Sequence, residues 1–259
     1  MHLSRTLFIS DLHLDPSRPA IVAQFERFLA EVVPGADALY ILGDLFEYWV
    51  GDDGLALPFP RRMAGRIHAA SEKVPTFFMH GNRDFLAAER FARDTGAKLI
   101  PDPTTIDLYG KPTLLMHGDT MCTDDVKYQA FRAQVRNPAW QQAALARPIE
   151  ERLVMASRMR VESEGTKQET AMDIMDVTPS AVEKAFADSG CSQMIHGHTH
   201  RPARHVLQVG GTERVRWVLH GCLPMKLKAP PLNAKDGMVA VEELQVAYQS
   251  LKLQSPGGG

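Results

Sequence analysis

The chain has 259 residues, of which 44% are hydrophobic and 23% charged, and its formal net charge is −2. That is enough apolar material to bury a core, and too balanced in sign for a disordered chain or for one that coats nucleic acid through bulk charge. Its cysteines, Cys122, Cys191 and Cys222, are odd in number, far apart and in no C-x-x-C pair, which argues against a disulfide framework or thiolate zinc site and reads as small buried residues in a reducing compartment.

No apolar run approaches the roughly 20 residues that a bilayer span needs, and no secretory leader is read ahead of the first strand. A soluble, cytoplasmic protein is expected, with a membrane surface still open to it. Short apolar runs alternate with amphipathic stretches, the pattern of strands joined through helices. A strand is predicted over 3–10, then a helix over 21–33 with Ile21, Phe25, Phe28, Leu29 and Val32 at helical spacing. A buried strand over 38–42, a helix over 63–72, a strand over 75–80 and a helix over 86–95 follow. Residues 105–109 and 113–117 make a predicted hairpin across Gly110-Lys111.

Composition changes over 124–176, which is poor in β-branched runs and rich in Ala, Arg, Gln, Glu and Met. Several helices are predicted there, with breaks at Pro138, Pro148 and Gly165, as in a helical cap inserted into an α/β body. Between 127 and 160, Lys127, Arg132, Arg136, Arg147, Arg152, Arg158 and Arg160 stand against only Glu150 and Glu151, with Tyr128, Phe131, Val135, Trp140, Leu145, Leu153, Val154 and Met159 interleaved. Such a layer either packs its apolar face on the body with its charges solvated, or turns a basic amphipathic surface to an anionic lipid or phosphate. A helix over 179–188 and a strand over 193–195 come next. A hairpin of 206–209 and 214–219 turns across Gly210-Gly211, and short strands over 238–241 and 246–251 close the body. The domain reading is a body of 1–123 and 177–252, a cap of 124–176, and a tail of 253–259 expected to be disordered.

The polar residues carry the chemistry. Five predicted strand ends finish in Asp11-Leu12-His13, Gly43-Asp44, Gly81-Asn82-Arg83-Asp84, His117-Gly118-Asp119 and His196-Gly197-His198-Thr199-His200. Taken singly, the first four read as turns, caps or a hydrogen-bonded histidine. Together, in this order and each after an apolar run, they converge on one point, because ligands of open α/β sheets bind at the carboxyl ends of strands. Imidazole, carboxylate and amide oxygen without thiolate suit Mn, Fe, Co or Zn. A carboxylate such as Asp44 can bridge two ions roughly 3.5–4 Å apart, whose shared water ionises near neutral pH and whose charge attracts a phosphoryl group.

This ordered set resembles the calcineurin-like metallophosphoesterases, whose pattern runs D-x-H, G-D, G-N, H and G-H-x-H and covers residues 6–200 here. The resemblance implies a four-layer α/β/β/α sandwich. It also implies one ion on Asp11, His13, the bridging Asp44 and His200, and another on Asp44, Asn82, His117 and His198. His80 and His196 remain strand or supporting residues. Segments 41–47, 51–53, 80–85, 116–125 and 195–202 look like the branch of that family that acts on UDP-2,3-diacylglucosamine in lipid A biosynthesis, with a helical cap after the fourth motif. That branch implies two Mn2+ ions per chain, a peripheral place on the cytoplasmic face of the inner membrane, and attack of water on the α-phosphorus to give UMP and 2,3-diacylglucosamine 1-phosphate. Matching positions imply substrate contacts from Asn82, Arg83, Asp125, Tyr128, Ser163 and His198, with Lys167 offset from the family's substrate-contacting lysine, and with Asp44 and Arg83 catalytic.

Many members of the wider family place a histidine where Arg83 stands, to protonate an alkoxide. A sugar-phosphate leaving group is a weak base that needs no proton, and a guanidinium suits a diphosphate better. Residues 219–237 do not follow the branch's pattern. Two other readings stay open: another enzyme of the family (phosphomonoesterase, cyclic phosphodiesterase or nuclease), and a metal-free interaction module that kept the fold. The presence of all seven ligand positions opposes the second. Neither a nucleic acid nor a protein partner is expected.

Overall fold

Two sheets form the centre of the protein. The computed structural model describes residues 5–169, the side chains of 161–169 excepted, and 176–219. Strands β1 (Thr6–Ile9), β2 (Ala38–Leu42), β3 (Thr76–Met79) and β4 (Lys98–Ile100) lie parallel in that order. The second sheet holds β5 (Thr104–Asp107), β6 (Pro112–Met116), β7 (Gln193–His196), β8 (Ala203–Val209) and β9 (Thr212–Val218) in the order β5-β6-β7-β9-β8. Its inner strands β6, β7 and β9 are parallel, and β5 and β8 are antiparallel edges.

The period-2 alternation of the strands sorts the core into layers. Phe8, Leu42 and Met79 of the first sheet meet Leu115, Ile195, Val215 and Trp217 of the second between the sheets. The opposite residues of the first sheet, Leu7, Ile9, Leu39, Ile41 and Phe78, pack against α1 (Pro19–Arg27), α2 (Pro58–Ser71) and α3 (Glu89–Thr95). Leu114, Met116 and Met194 pack against Val182 and Phe186 of α7 (Pro179–Ser189). The result is the expected four-layer α/β/β/α sandwich. Both hairpins form as expected, and Cys122 and Cys191 are buried.

Several boundaries differ from the sequence reading. Helix α2 starts at Pro58, five residues before the apolar periodicity, because a proline in the first turn sacrifices no hydrogen bond. Helix α3 starts at Glu89 rather than 86, where the Asp52 carboxylate accepts from the backbone N–H groups of Ala88 and Phe91 at 3.0 and 2.9 Å. The predicted helix over 21–33 tightens and widens along its length, with a π turn at Phe28–Val32 and a 3-10 turn at Val33–Gly35. Strand β4 was not expected; three residues are too few to show alternation.

Three helices follow β6: α4 (Val126–Val135), α5 (Pro138–Leu145) and α6 (Ile149–Glu169). Breaks occur near Pro138 and Pro148, but Gly165 breaks nothing and α6 runs through it. A mid-helix glycine costs only about 1 kcal/mol. Part of this segment's polarity departs from both sequence readings, although Val135 is buried and Lys127, Arg147 and Arg158 are exposed as the packed-layer reading expected. Four of its cations turn inward: Arg132 to Asp119, Arg136 to the Gly81 carbonyl, Arg152 to Asp53 and the Val50 carbonyl, and Arg160 to Glu47. Val126, Phe131, Leu145 and Val154 are exposed instead. The strands predicted over 238–241 and 246–251, the tail, Cys222 and all of 219–237 but Leu219 lie outside the described residues.

Candidate metal centre

Strand ends of both sheets supply the site. Asp11 and His13 follow β1, Asp44 follows β2, Asn82 follows β3, His117 directly follows β6, and His198 and His200 follow β7. Among the described residues six non-glycine residues have positive φ, and five of them belong to this set: Asp11 (58°), His13 (48°), Asp44 (52°), His198 (71°) and His200 (55°). Such backbone strain persists only where surrounding structure over-determines it, and it clusters at functional sites. Two glycines make the approach possible. A Cβ on Gly81 would lie 2.1 Å from Asp44 Oδ1, and one on Gly197 would lie 2.3 Å from Asp11 Oδ2.

The side chains gather into two groups, and the Asp44 carboxylate of the second reaches toward His13 of the first. Ligand atoms of Asp11, His13 and His200 all lie within 4.8 Å of one another, and so do those of Asp44, His117 and His198. Asn82 Oδ1 joins the second group, 3.0 Å from both His117 Nε2 and His198 Nδ1. Asp44 stands between them, with Oδ2 3.9 Å from His13 Nε2 and Oδ1 3.7 Å from His117 Nε2. In the first group His13 Nε2 and His200 Nε2 are 3.2 Å apart, and His200 Nε2 is 3.6 Å from Asp11 Oδ1. All seven expected ligands are brought together.

Hydrogen bonds behind the site fix these orientations. His117 Nδ1 donates to the Leu42 carbonyl at 2.9 Å, which turns Nε2 toward Asp44 and Asn82. Asp11 Oδ2 accepts from the His198 N–H at 2.8 Å, whereas its buried Oδ1 has no hydrogen-bond partner. Asp44 Oδ1 accepts from the Arg83 N–H at 2.8 Å.

Electrostatics point the same way. Burial pushes the carboxyls of Asp11 and Asp44 up to about 6, against the pull of His117. Burial works to lower the pKa of His117 itself, but Asp44, Asp119 and Asp11 outweigh it and raise the imidazole to about 9. A field that holds a proton on a fully buried imidazole favours positive charge at this spot. With carboxylate, amide and imidazole donors, no thiolate, and an orphaned Asp11 oxygen, the residues fit divalent cations such as Mn, Fe, Co or Zn.

Arg83 and Tyr128, two of the expected substrate residues, lie beside the ligand groups. Arg83 Nη1 lies 3.3 Å from Glu47 Oε1. The Tyr128 ring sits 5.6 Å from that of His198, and its hydroxyl donates to Asp119 Oδ2 at 2.8 Å. Burial and the Asp119 carboxylate push this phenol far above its ordinary range, so it stays a donor. Asp125 caps α4 by accepting from the Tyr128 N–H at 2.9 Å. Ser163 and Lys167 lie on α6, where side chains are outside the described residues. His80 and His196 face away from the ligand groups: His80 Nε2 donates to the Ala87 carbonyl at 2.6 Å, and His196 Nε2 accepts from Arg216 at 3.2 Å.

Glu47, Asp84 and Asp119 are buried acids to which the sequence reading assigned no role. Burial pushes Asp119 up, but His117, His198 and Arg132 hold it well below the usual carboxylate range. Arg132 Nε donates to it at 2.7 Å. All three acids fall inside segments that carry the family resemblance, so the signal was present without a function attached.

Comparison with known proteins bears on the same residues. The calcineurin-like phosphoesterase profile matches residues 4–202, and that of the T4-like virus tail tube protein gp19 matches residues 205–252. UDP-2,3-diacylglucosamine hydrolase of Stenotrophomonas maltophilia (strain K279a) is 52% identical over 222 residues, covering 83% of this chain and 89% of that protein. The protein of the same name from Xanthomonas axonopodis pv. citri (strain 306) is also 52% identical over 222 residues, covering 83% and 90%. A crystal structure of a protein of unknown function from Aquifex aeolicus aligns with a TM-score of 0.41 at 15% identity, covering 76% of this chain and 80% of that one.

Proposed function

The chain belongs to the calcineurin-like phosphoesterase family, and from that premise we propose that it hydrolyses UDP-2,3-diacylglucosamine, the substrate named for relatives 52% identical to it. The observation that carries the chemistry is the division of the Asp44 oxygens between two ligand groups. Asp11, His13, Asp44 and His200 would hold one cation, and Asp44, Asn82, His117 and His198 the other, with manganese our choice of ion. Divalent cations supply charge neutralisation of phosphoryl oxygens and a water ionised near neutral pH.

The chain's own residues direct that chemistry to the α-phosphorus. The Arg83 guanidinium, held beside Glu47, faces the negative charge that grows on the leaving sugar phosphate when the anhydride bond breaks. That leaving group departs as a stable anion, so no acid is required in the Arg83 position, and the products are UMP and 2,3-diacylglucosamine 1-phosphate. Tyr128, fixed as a donor by Asp119, closes the His198 side of the pocket, Asp125 stands at the start of α4, and sugar contacts from Asp125, Ser163 and Lys167 belong to the same proposal. This reaction belongs to lipid A biosynthesis.

An acylated substrate brings the protein to a membrane, and we place it on the cytoplasmic face of the inner membrane as a peripheral protein. Exposed Val126, Phe131, Leu145 and Val154 on α4–α6 support that place, and α4–α6 then form a cap that receives acyl chains. No helix among the described residues is long and apolar enough to cross a membrane.

The test is UMP release from UDP-2,3-diacylglucosamine, compared with hydrolysis of an aryl phosphate, before and after chelation. Manganese-dependent turnover that favours the diacylated UDP-sugar is expected. Faster turnover of the aryl phosphate would favour another phosphoesterase activity, and failure to retain any transition metal would favour an interaction module.

A further inference from the structure

Glu47 lies just outside both ligand groups, only 6% exposed, yet three functional side chains turn to it. Its Oε1 is 3.3 Å from Arg83 Nη1 and 3.3 Å from Arg160 Nε, and its Oε2 is 3.7 Å from His13 Nδ1. These partners come from three places: the turn after β1, the turn after β3, and helix α6. The backbone beneath is a short ladder, with a bridge between Leu14 and Phe46 and a Glu47 N–H donating to the Leu14 carbonyl at 3.1 Å. The carboxylate therefore stands at a fixed place relative to His13.

We infer that Glu47 is a positioning residue that joins the metal-facing imidazole of His13 to the two arginines at the rim. This rests on the functional reading above. At 3.7 Å the Glu47 carboxylate is too far for a direct hydrogen bond and acts on the His13 ring through its charge, which favours a proton on Nδ1. Here it faces Nδ1, which leaves Nε2 toward Asp44 and His200. The same carboxylate holds two guanidinium groups that would otherwise repel one another, and presents them as a pair to the phosphates of a nucleoside diphosphate. Because Arg160 comes from α6, which Arg152 also anchors, Glu47 links that helix to the metal-facing ring.

The experiment is calorimetric titration of Mn2+ into metal-stripped protein, wild type against Glu47→Gln, followed by steady-state kinetics at saturating manganese. Glu47→Gln is expected to weaken Mn2+ binding by about 10–100-fold in protein that circular dichroism shows to be folded, and to raise KM for the UDP-sugar more than it lowers kcat. A purely structural role would lower the melting temperature and leave the Mn2+ affinity of the folded protein alone, which overturns the proposal. An unchanged KM at saturating manganese overturns its arginine half. If Glu47→Gln does not fold, the same titration on Glu47→Asp, whose shorter carboxylate cannot reach all three partners, decides in the same terms. The titration uses no substrate, so normal wild-type Mn2+ binding without UDP-sugar hydrolysis would defeat the functional reading and leave the Glu47 result standing.

Discussion

Asp84 is fully buried and accepts three backbone hydrogen bonds, from Gly81 N at 2.8 Å, Leu45 N at 2.8 Å and Asp44 N at 3.3 Å. It ties the turn after β2 to the turn after β3, and so sets Asp44 against Gly81 at the close approach that only glycine permits. Asp84→Asn turns an amide group toward those donors and leaves at least one unsatisfied. A loss of about 3 kcal/mol is expected, measured by urea unfolding; a loss indistinguishable from zero would show that the turns are held by something else. The seven ligands were legible in the sequence because each is an Asp, Asn or His placed after an apolar run. Asp84, Glu47 and Asp119 were not, because an acid beside a glycine turn looks the same whether its partners are water or distant backbone groups.

Among the elements, β1, β2, β3, β6 and β7 were legible from short apolar runs bounded by turn residues, and α7 from Pro179 at its start and Gly190 in the left-handed region at its end. Helices α4–α6 were legible as helices but not in the direction they face. That direction depends on Asp53, Glu47 and Asp119, which stand on the body and draw Arg152, Arg160 and Arg132 inward. Val126, Phe131, Leu145 and Val154 are left exposed, the residues on which the membrane proposal rests. Replacing Val126, Phe131, Leu145 and Val154 together by serine is expected to reduce sedimentation with phospholipid vesicles while leaving the melting temperature nearly unchanged, since exposed side chains contribute little to stability. Vesicle binding equal to that of the wild type would remove this face from the membrane proposal.

At the scale of the molecule, the four-layer sandwich exists to bring two sheets' strand ends to one rim. The first sheet gives Asp11, His13, Asp44 and Asn82, and the second gives His117, His198 and His200. Neither sheet alone completes a ligand group, so the apolar layer between them, from Phe8 and Leu42 to Ile195 and Trp217, is what assembles the centre. The order of motifs along the chain made this sandwich legible, while residues 219–237 depart from the branch's pattern. The most direct measurement is anomalous diffraction at the manganese edge from crystals grown with the metal. Two peaks are expected, one beside Asp11, His13 and His200 and one beside Asn82, His117 and His198, with Asp44 touching both. Crystals without a peak within bonding distance of Asp44 would contradict the account.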